Sequence, residues 1–333
     1  MTESLSVPVI DITRLLEKGA DKKLVANELS SACRNYGFFY VVGHGISEDL
    51  QRRMEDLSAQ FFALTHEEKM KIRMELGGRA WRGFFPLGDE LTSGKPDMKE
   101  GLYFGSELGE EDERVKAGLP MHGKNLFPAS IPEMRGVILS YMDAVEKLGH
   151  RLMEGLSLSL GLDETYFDRH FTQDPLTLFR IFHYPPSTPK SREEELWGVG
   201  EHTDYGVLTI LKQDRVGGLQ VKTQNQWIEA PYIEGSFICN IGDMLDRMTG
   251  GYYRSTPHRV LNRSGKSRYS YPFFFDPNFD AEVKAIDLGS VDHSEDDKAE
   301  RWDGASVHEF EGTYGEYVLG KVAKVFPQLM EGI

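Results

Sequence analysis

His202-Thr203-Asp204 sets an imidazole and a carboxylate two positions apart, and His258 follows fifty-four residues after the aspartate. On an extended segment, residues two apart project to the same side, so His202 and Asp204 can reach one ion while Thr203 points away. Two neutral imidazoles and one carboxylate occupy one face of a six-coordinate iron and leave other positions open, a ligand set suited to Fe(II) and oxygen chemistry. Few cysteines are present to serve a structural zinc site. Taken singly, the same residues also describe a surface His/Asp pair and a packing histidine.

Ten residues after His258 comes Arg268-Tyr269-Ser270. Arg268 and Ser270 share a strand face, where a planar guanidinium fork takes a carboxylate in two hydrogen bonds and the hydroxyl adds a third donor. Tyr271, Phe273, Phe274 and Phe275 surround that charge with apolar bulk, so it needs an anion: an internal Asp or Glu, or an organic acid. Upstream, Arg180, Phe182 and Tyr184 alternate along another face and can add a guanidinium and a phenol to the same pocket. For Tyr184 a buried structural role is the plainer reading. The combination describes an enzyme using iron, oxygen and a carboxylate-bearing co-substrate.

His258 has to be brought to His202 from a distant strand, and the second half of the chain supplies such strands. Segments at 177–184, 207–213, 219–222, 226–229, 236–240, 258–261 and 269–275 are rich in β-branched and aromatic residues and punctuated by Gly and Pro, the pattern of a sandwich or barrel, of which the jelly roll is one form. The first half reads mainly as helix. Asp21 is the candidate N-cap of a helix that Gly37 stops, a strand at 37–42 follows, and further helices span about 47–64 and 132–160. Ile138, Tyr141, Val145, Leu148, Leu152 and Leu156 line one face of the last, which is expected to lie along the sheet. The fold class is therefore mainly β with flanking helices, a jelly-roll core with a helical N-terminal part. The expected layout is one compact catalytic unit over 1–333: helical support over 1–170, jelly-roll core over 171–285, and a tail with a helix over 286–333.

The chain has 333 residues, 40% of them hydrophobic and 27% charged, ordinary for a globular protein. Its net charge of −15 argues against a general affinity for nucleic acid or an anionic membrane. No apolar run approaches the roughly twenty residues of a membrane span, and no secretory leader is visible. Cys33 and Cys239 sit among apolar neighbours and read as buried free thiols of a reducing compartment, the cytoplasm. Glu295-Asp296-Asp297 reads as a solvated loop. The segment 77–103, rich in Gly, aromatics and charge, is the candidate lid or substrate wall, with Arg79 and Arg82 available to an acidic substrate.

These pieces together resemble the 2-oxoglutarate- and Fe(II)-dependent oxygenases of the isopenicillin N synthase-like family. The matching segments run in family order from Val7-Pro8-Val9-Ile10-Asp11 and Gly43-His44-Gly45, through His183-Tyr184-Pro185-Pro186, His202-Thr203-Asp204-Tyr205-Gly206 and Asn240-Ile241-Gly242-Asp243, to His258-Arg259-Val260 and Arg268-Tyr269-Ser270, covering about residues 5 to 280. The resemblance implies a distorted double-stranded β-helix with iron on His202, Asp204 and His258. It implies 2-oxoglutarate held by Arg268, Ser270 and Tyr184, O2 as oxidant, and a small-molecule substrate hydroxylated, desaturated or cyclised with release of succinate and CO2. It makes His44 structural. Many plant members carry asparagine where this chain has Phe182, which leaves a gap in the polar contacts near Tyr184. Glu90-Leu91-Thr92 and Gly94-Lys95-Pro96-Asp97 are similar to segments of bacterial ethylene-forming enzymes, which implies Glu90, with Tyr205 and Arg180, as substrate-facing residues. The alternatives are an oxidase of the same fold, including an isopenicillin N synthase-type enzyme that reuses the R-x-S pair for a substrate carboxylate, a catalytically silent metal-binding module, and a zinc hydrolase.

Overall fold

Alternation of apolar and polar positions turns into two layers of strands in the computed structural model, which describes residues 6–92, 94–186, 197–223, 226–289, 304 and 306–325. The major sheet has eight strands, ordered Val9–Asp11, Phe38–Val42, Phe237–Ile241, Leu208–Gln213, Arg268–Asp276, Leu176–Tyr184, Glu100–Gly105 and Gly83–Phe85. The minor sheet has four, ordered Trp227–Glu229, Leu219–Lys222, His258–Val260 and Val199–His202. Strands far apart in sequence lie side by side, as a jelly roll requires. Two registers matter for the site. His258 pairs directly with His202 in the minor sheet, and Arg268 and Ser270 pair with Tyr184 and Phe182 in the major one.

The expected strands appear with ends moved by a residue or two. The helices appear over Lys23–Asn35, Glu48–Phe62 and Glu133–Ser159. Asp21 does not cap the first of these: the N-cap position is Lys22, with no side-chain cap, although Asp21 Oδ1 accepts the Lys23 N–H at 3.0 Å. Ser47 caps the second, accepting from the Leu50 N–H at 3.3 Å. The long helix buries Ile138, Tyr141, Val145, Leu148 and Leu152 and lies against the major sheet. At Gly149 an added Cβ would come within 2.4 Å of the Phe275 ring, so the helix approaches the sheet at glycine distance. Gly161, at φ 74°, ends the helix in the left-handed region that glycine adopts without strain.

Among the described residues six strands escape the sequence reading, two of them Val9–Asp11 and Val199–His202. Gly83–Phe85 and Glu100–Gly105 extend the major sheet, and Leu91–Thr92 pairs with Lys95–Pro96 as a separate hairpin. The segment 77–103 is thus a sheet edge carrying a hairpin rather than a free loop. The tail helix spans Tyr314–Val325, and 295–297 lies outside the described residues. Cys33 and Cys239 are both buried and unbridged. Among the described residues no helix is long and apolar enough to cross a membrane.

Candidate metal and co-substrate site

His202 closes the strand Val199–His202, and the chain leaves the sheet at once, so Asp204 reaches the centre from a turn and not from an extended strand. Thr203, expected to point away, is buried and also lines the cavity. The three side chains nevertheless converge. One ligand atom from each of His202, Asp204 and His258 lies within 4.8 Å of the others. Asp204 Oδ1 stands 3.8 Å from His202 Nε2 and 3.6 Å from His258 Nε2. The two rings sit with centroids 4.2 Å apart.

Backbone and neighbouring side chains decide which atoms remain for an ion. His202 Nδ1 is 2.8 Å from the Gly200 carbonyl and His258 Nδ1 is 3.2 Å from that of Thr256. Each Nδ1–H therefore donates to a carbonyl and leaves the Nε2 lone pair facing inward. Asp204 Oδ2 accepts from Thr209 Oγ1 at 2.5 Å and Asn240 Nδ2 at 2.7 Å, which leaves Oδ1 to the centre. Burial lowers both histidines, His258 to about 4 with His202 adding to the effect, so both imidazoles are neutral near pH 7. Burial pushes Asp204 up, but the two histidines and the Thr209 and Asn240 hydrogen bonds outweigh it and hold the carboxyl below its usual range. Two neutral nitrogens and one ionised oxygen fit a divalent iron.

A cavity of about 100 Å³ opens above these atoms, and its walls include Arg268, Ser270, Tyr184, Arg180, Glu90 and Tyr205. Arg268 is fully buried. Its Nε donates to the Gly217 carbonyl at 2.5 Å, and its guanidinium lies 4.6 Å over the Tyr184 ring. Both Nη atoms are buried without a hydrogen-bond partner. A buried cation with two idle donors is costly unless an anion meets it. Ser270 Oγ donates to Tyr184 Oη at 3.3 Å, so these two hydroxyls lie together beside it. The donor set fits a dicarboxylate such as 2-oxoglutarate.

The far wall is charged. Arg180 lies between the rings of Tyr103 and Phe274, 4.2 and 4.8 Å from their centroids, and its Nη1 is 3.5 Å from Glu90 Oε1. Glu90 accepts from Tyr103 Oη at 2.7 Å and pairs with Lys99 at 2.8 Å; Lys99 also pairs with Asp97. Burial pushes Glu90 up, but Lys99 and Arg180 outweigh it and keep the carboxylate ionised. Lys99 Nζ stands 4.8 Å over the Phe182 ring, so an ammonium stands near the gap in polar contacts expected beside Tyr184. Arg79 and Arg82 do not take part. Arg79 is exposed, and Arg82 is buried, donating to the Met121 carbonyl at 2.6 Å. His44 packs edge-on against Phe237 at 4.7 Å, a structural contact.

Residues that the sequence reading passed over also line this space. Thr209 and Asn240 hold the carboxylate. Asp276 and Tyr314 close the end away from Arg268, with Val318 and Val325 of the tail helix beside them. Asn240 lies in one of the family-ordered motifs but has no role that its spacing reveals; Tyr314, from a remote helix, had no signal to find it by.

Both architecture and site define an iron- and 2-oxoglutarate-dependent oxygenase, and comparison with known proteins agrees. Residues 7–130 match the family described as non-haem dioxygenase in morphine synthesis N-terminal, and residues 175–277 match the 2OG-Fe(II) oxygenase superfamily. A probable iron/ascorbate oxidoreductase of Dictyostelium discoideum is 51% identical, covering 98% of this chain and 96% of its own. A 1-aminocyclopropane-1-carboxylate oxidase of the same organism is 40% identical over 96% and 95% of the two chains, and a homoarginine-6-hydroxylase of Arabidopsis thaliana 37% over 98% and 90%. A full-length Neurospora crassa protein crystallised with alpha-KG and thymine superposes with a TM-score of 0.79 at 28% identity, covering 97% and 98% of the two chains. The chain belongs to the 2-oxoglutarate/Fe(II) oxygenase superfamily of isopenicillin N synthase-like proteins. It is a non-haem iron oxidoreductase that acts on a small molecule with Fe(II), 2-oxoglutarate and O2.

Proposed function

We propose that this enzyme oxidises a C–H bond of a small α-amino acid, with iron on His202 Nε2, His258 Nε2 and Asp204 Oδ1 and the distal carboxylate of 2-oxoglutarate on Arg268, Ser270 and Tyr184. The observation that carries the reading is the pair of idle Arg268 Nη donors opening into the cavity that also holds the three converging ligand atoms. Bound iron, with 2-oxoglutarate as reductant, supplies oxygen activation and C–H oxidation, giving succinate and CO2. The protein's own residues bind and orient. Arg268 fixes one end of the co-substrate and Tyr184 walls it. Phe38, Val199, Leu219 and Val260 line the cavity with apolar surface that keeps bulk water from the centre.

The amino-acid class is supported by the relatives named for 1-aminocyclopropane-1-carboxylate and homoarginine. It is supported also by Arg180, a guanidinium on the far wall suited to a substrate carboxylate, with Tyr205 and Glu90 beside it. An oxidase of the 1-aminocyclopropane-1-carboxylate type, which that relative favours, is the second reading. One experiment tests both. Enzyme purified without oxygen and loaded with Fe(II) and 2-oxoglutarate is exposed to O2 with a panel of amino acids, and succinate is measured. Stoichiometric succinate with one amino acid supports the proposal; product without succinate favours the oxidase, and no response to any amino acid sinks the substrate class.

A further inference from the structure

Among the described residues, the charged side chains of the cavity fall into two sets, and one carboxyl lies outside both. Lys99 faces Glu90 and Asp97, and Arg180 faces Glu90, two cations against two carboxylates. Asp204 faces the two histidines, and Arg268, on which the Asp214 carboxylate also acts, faces the co-substrate position. Asp276, at the end of the strand Arg268–Asp276, belongs to neither set.

Its surroundings are those of a positioned carboxyl. Only 3% of Asp276 is exposed. Tyr314 Oη, on the tail helix, donates to Oδ2, while Oδ1 has no hydrogen-bond partner. Gly206 makes the position possible, since a Cβ there would stand 1.5 Å from Oδ1. Asp276 lines the same cavity as Asp204 and Arg180, whose charges act on it. Lys321, farther along the tail helix, lies over the Tyr205 and Tyr317 rings and is not part of the cavity wall. An isolated buried carboxyl is unfavourable when ionised, and a cation beside it removes that penalty.

We infer that Asp276 is the counter-ion for a positively charged nitrogen, ammonium or guanidinium, on the primary substrate, and that Tyr314 fixes its position. This rests on the placement of substrate against Arg180 and beside the triad proposed above. Asp276 is then a specificity-determining residue: it selects cationic over neutral molecules of the same shape, whereas Arg180 selects the carboxylate. Until substrate enters, burial holds the Asp276 carboxyl up at about 7, and the arriving nitrogen ionises it.

The test uses enzyme loaded with Fe(II) and 2-oxoglutarate without oxygen and reads binding by calorimetry and by thermal shift. The ligands are matched pairs that differ in one positive nitrogen: amino acids with their N-acetyl derivatives, primary amines with alcohols, guanidines with ureas. Wild type is expected to bind the cationic member of at least one pair tenfold or more tightly than its partner. Asp276→Asn should lose ten- to a hundredfold for that member and less than threefold for the neutral one, and Tyr314→Phe should show a smaller loss of the same selectivity. Affinity for 2-oxoglutarate reports folding, and if Asp276→Asn takes up none, Tyr314→Phe decides. A cation preference that survives in the variant, or no preference in wild type for any pair, overturns the inference. If amines or guanidines show an Asp276-dependent preference and no amino acid does, the amino-acid reading fails and this one stands.

Discussion

Replacing Arg268 with Met separates binding from stability in a way a merely structural arginine would not. The guanidinium is fully buried, one of its nitrogens is tied to the Gly217 carbonyl, and the other two are idle. Methionine keeps most of the stem's volume and discards a buried charge whose two Nη atoms meet no hydrogen-bond partner, Asp214 being the carboxylate that acts on it in the ligand-free protein. The ligand-free variant should therefore melt no lower than wild type. With 2-oxoglutarate the sign reverses, because truncating one partner of a buried charge pair costs about 2–5 kcal/mol, a rise in Kd of roughly 30- to 5,000-fold. At a concentration of 100 times its wild-type Kd, 2-oxoglutarate stabilises wild type by about 2.7 kcal/mol, and the same concentration should add less than about 1 kcal/mol to the variant. Thermal melts with and without 2-oxoglutarate, in the presence of Mn(II) to avoid turnover, read both quantities. A variant that melts lower when ligand-free and binds 2-oxoglutarate within twofold of wild type would refute the carboxylate role and make Arg268 a packing residue.

Other outcomes follow from the same geometry. His202→Ala and Asp204→Ala should each abolish oxygen-dependent succinate release and retained iron, measured by metal analysis after desalting; wild-type turnover in either would remove that residue from the ligand set. Asn240→Ala and Thr209→Val leave the ligands in place but free Asp204 Oδ2, so iron affinity should fall about 10- to 100-fold, read by chelator competition. Gly149→Ala puts a methyl within 2.4 Å of the Phe275 ring, and overpacking of this kind costs roughly 1–3 kcal/mol, more than the gain in helix propensity; denaturant melts report it. Burial raises Asp276 to about 7 from an ordinary value of 3.8. The folded state then holds a proton that the unfolded state has released, so this carboxyl's contribution to stability is present below pH 3.8 and is lost as pH rises to about 7. The melting temperature of ligand-free Asp276→Asn relative to wild type should accordingly rise across that window and level off above it; a flat difference would show that the carboxyl titrates normally.

The catalytic half of the protein was legible because its chemistry and its strands share one period. Arg268 and Ser270, and Arg180, Phe182 and Tyr184, are spaced in twos along strands, and alternation puts each set on one face; His202 and Asp204 share that spacing but converge across the end of a strand. What spacing does not carry is where one face meets another. Phe85 and Tyr103 gave no strand pattern, since Gly83–Phe85 and Glu100–Gly105 are buried on both sides and do not alternate. Glu100–Gly105 takes its place in the major sheet by pairing with Leu176–Tyr184, and Gly83–Phe85 by pairing in turn with Glu100–Gly105. Arg82, offered as available to an acidic substrate, is withdrawn from it for a related reason: it is held inside by a carbonyl and by packing at Gly105, contacts between residues remote in the chain. Tyr314 reaches the cavity only because the tail helix folds back over it.

Asp204 joins the two layers of the fold. One of its oxygens is held by Thr209 and Asn240, on strands of the major sheet, and the other faces the paired histidines of the minor sheet. A divalent ion at that oxygen would be a clasp as well as a reagent, because it would tie the paired histidines of the minor sheet to a carboxylate anchored on the major one. Amide hydrogen exchange at Val199–His202 and His258–Val260 should therefore slow when metal is added, while Leu176–Tyr184, held by strands on both sides, should exchange at the same rate with metal or without it.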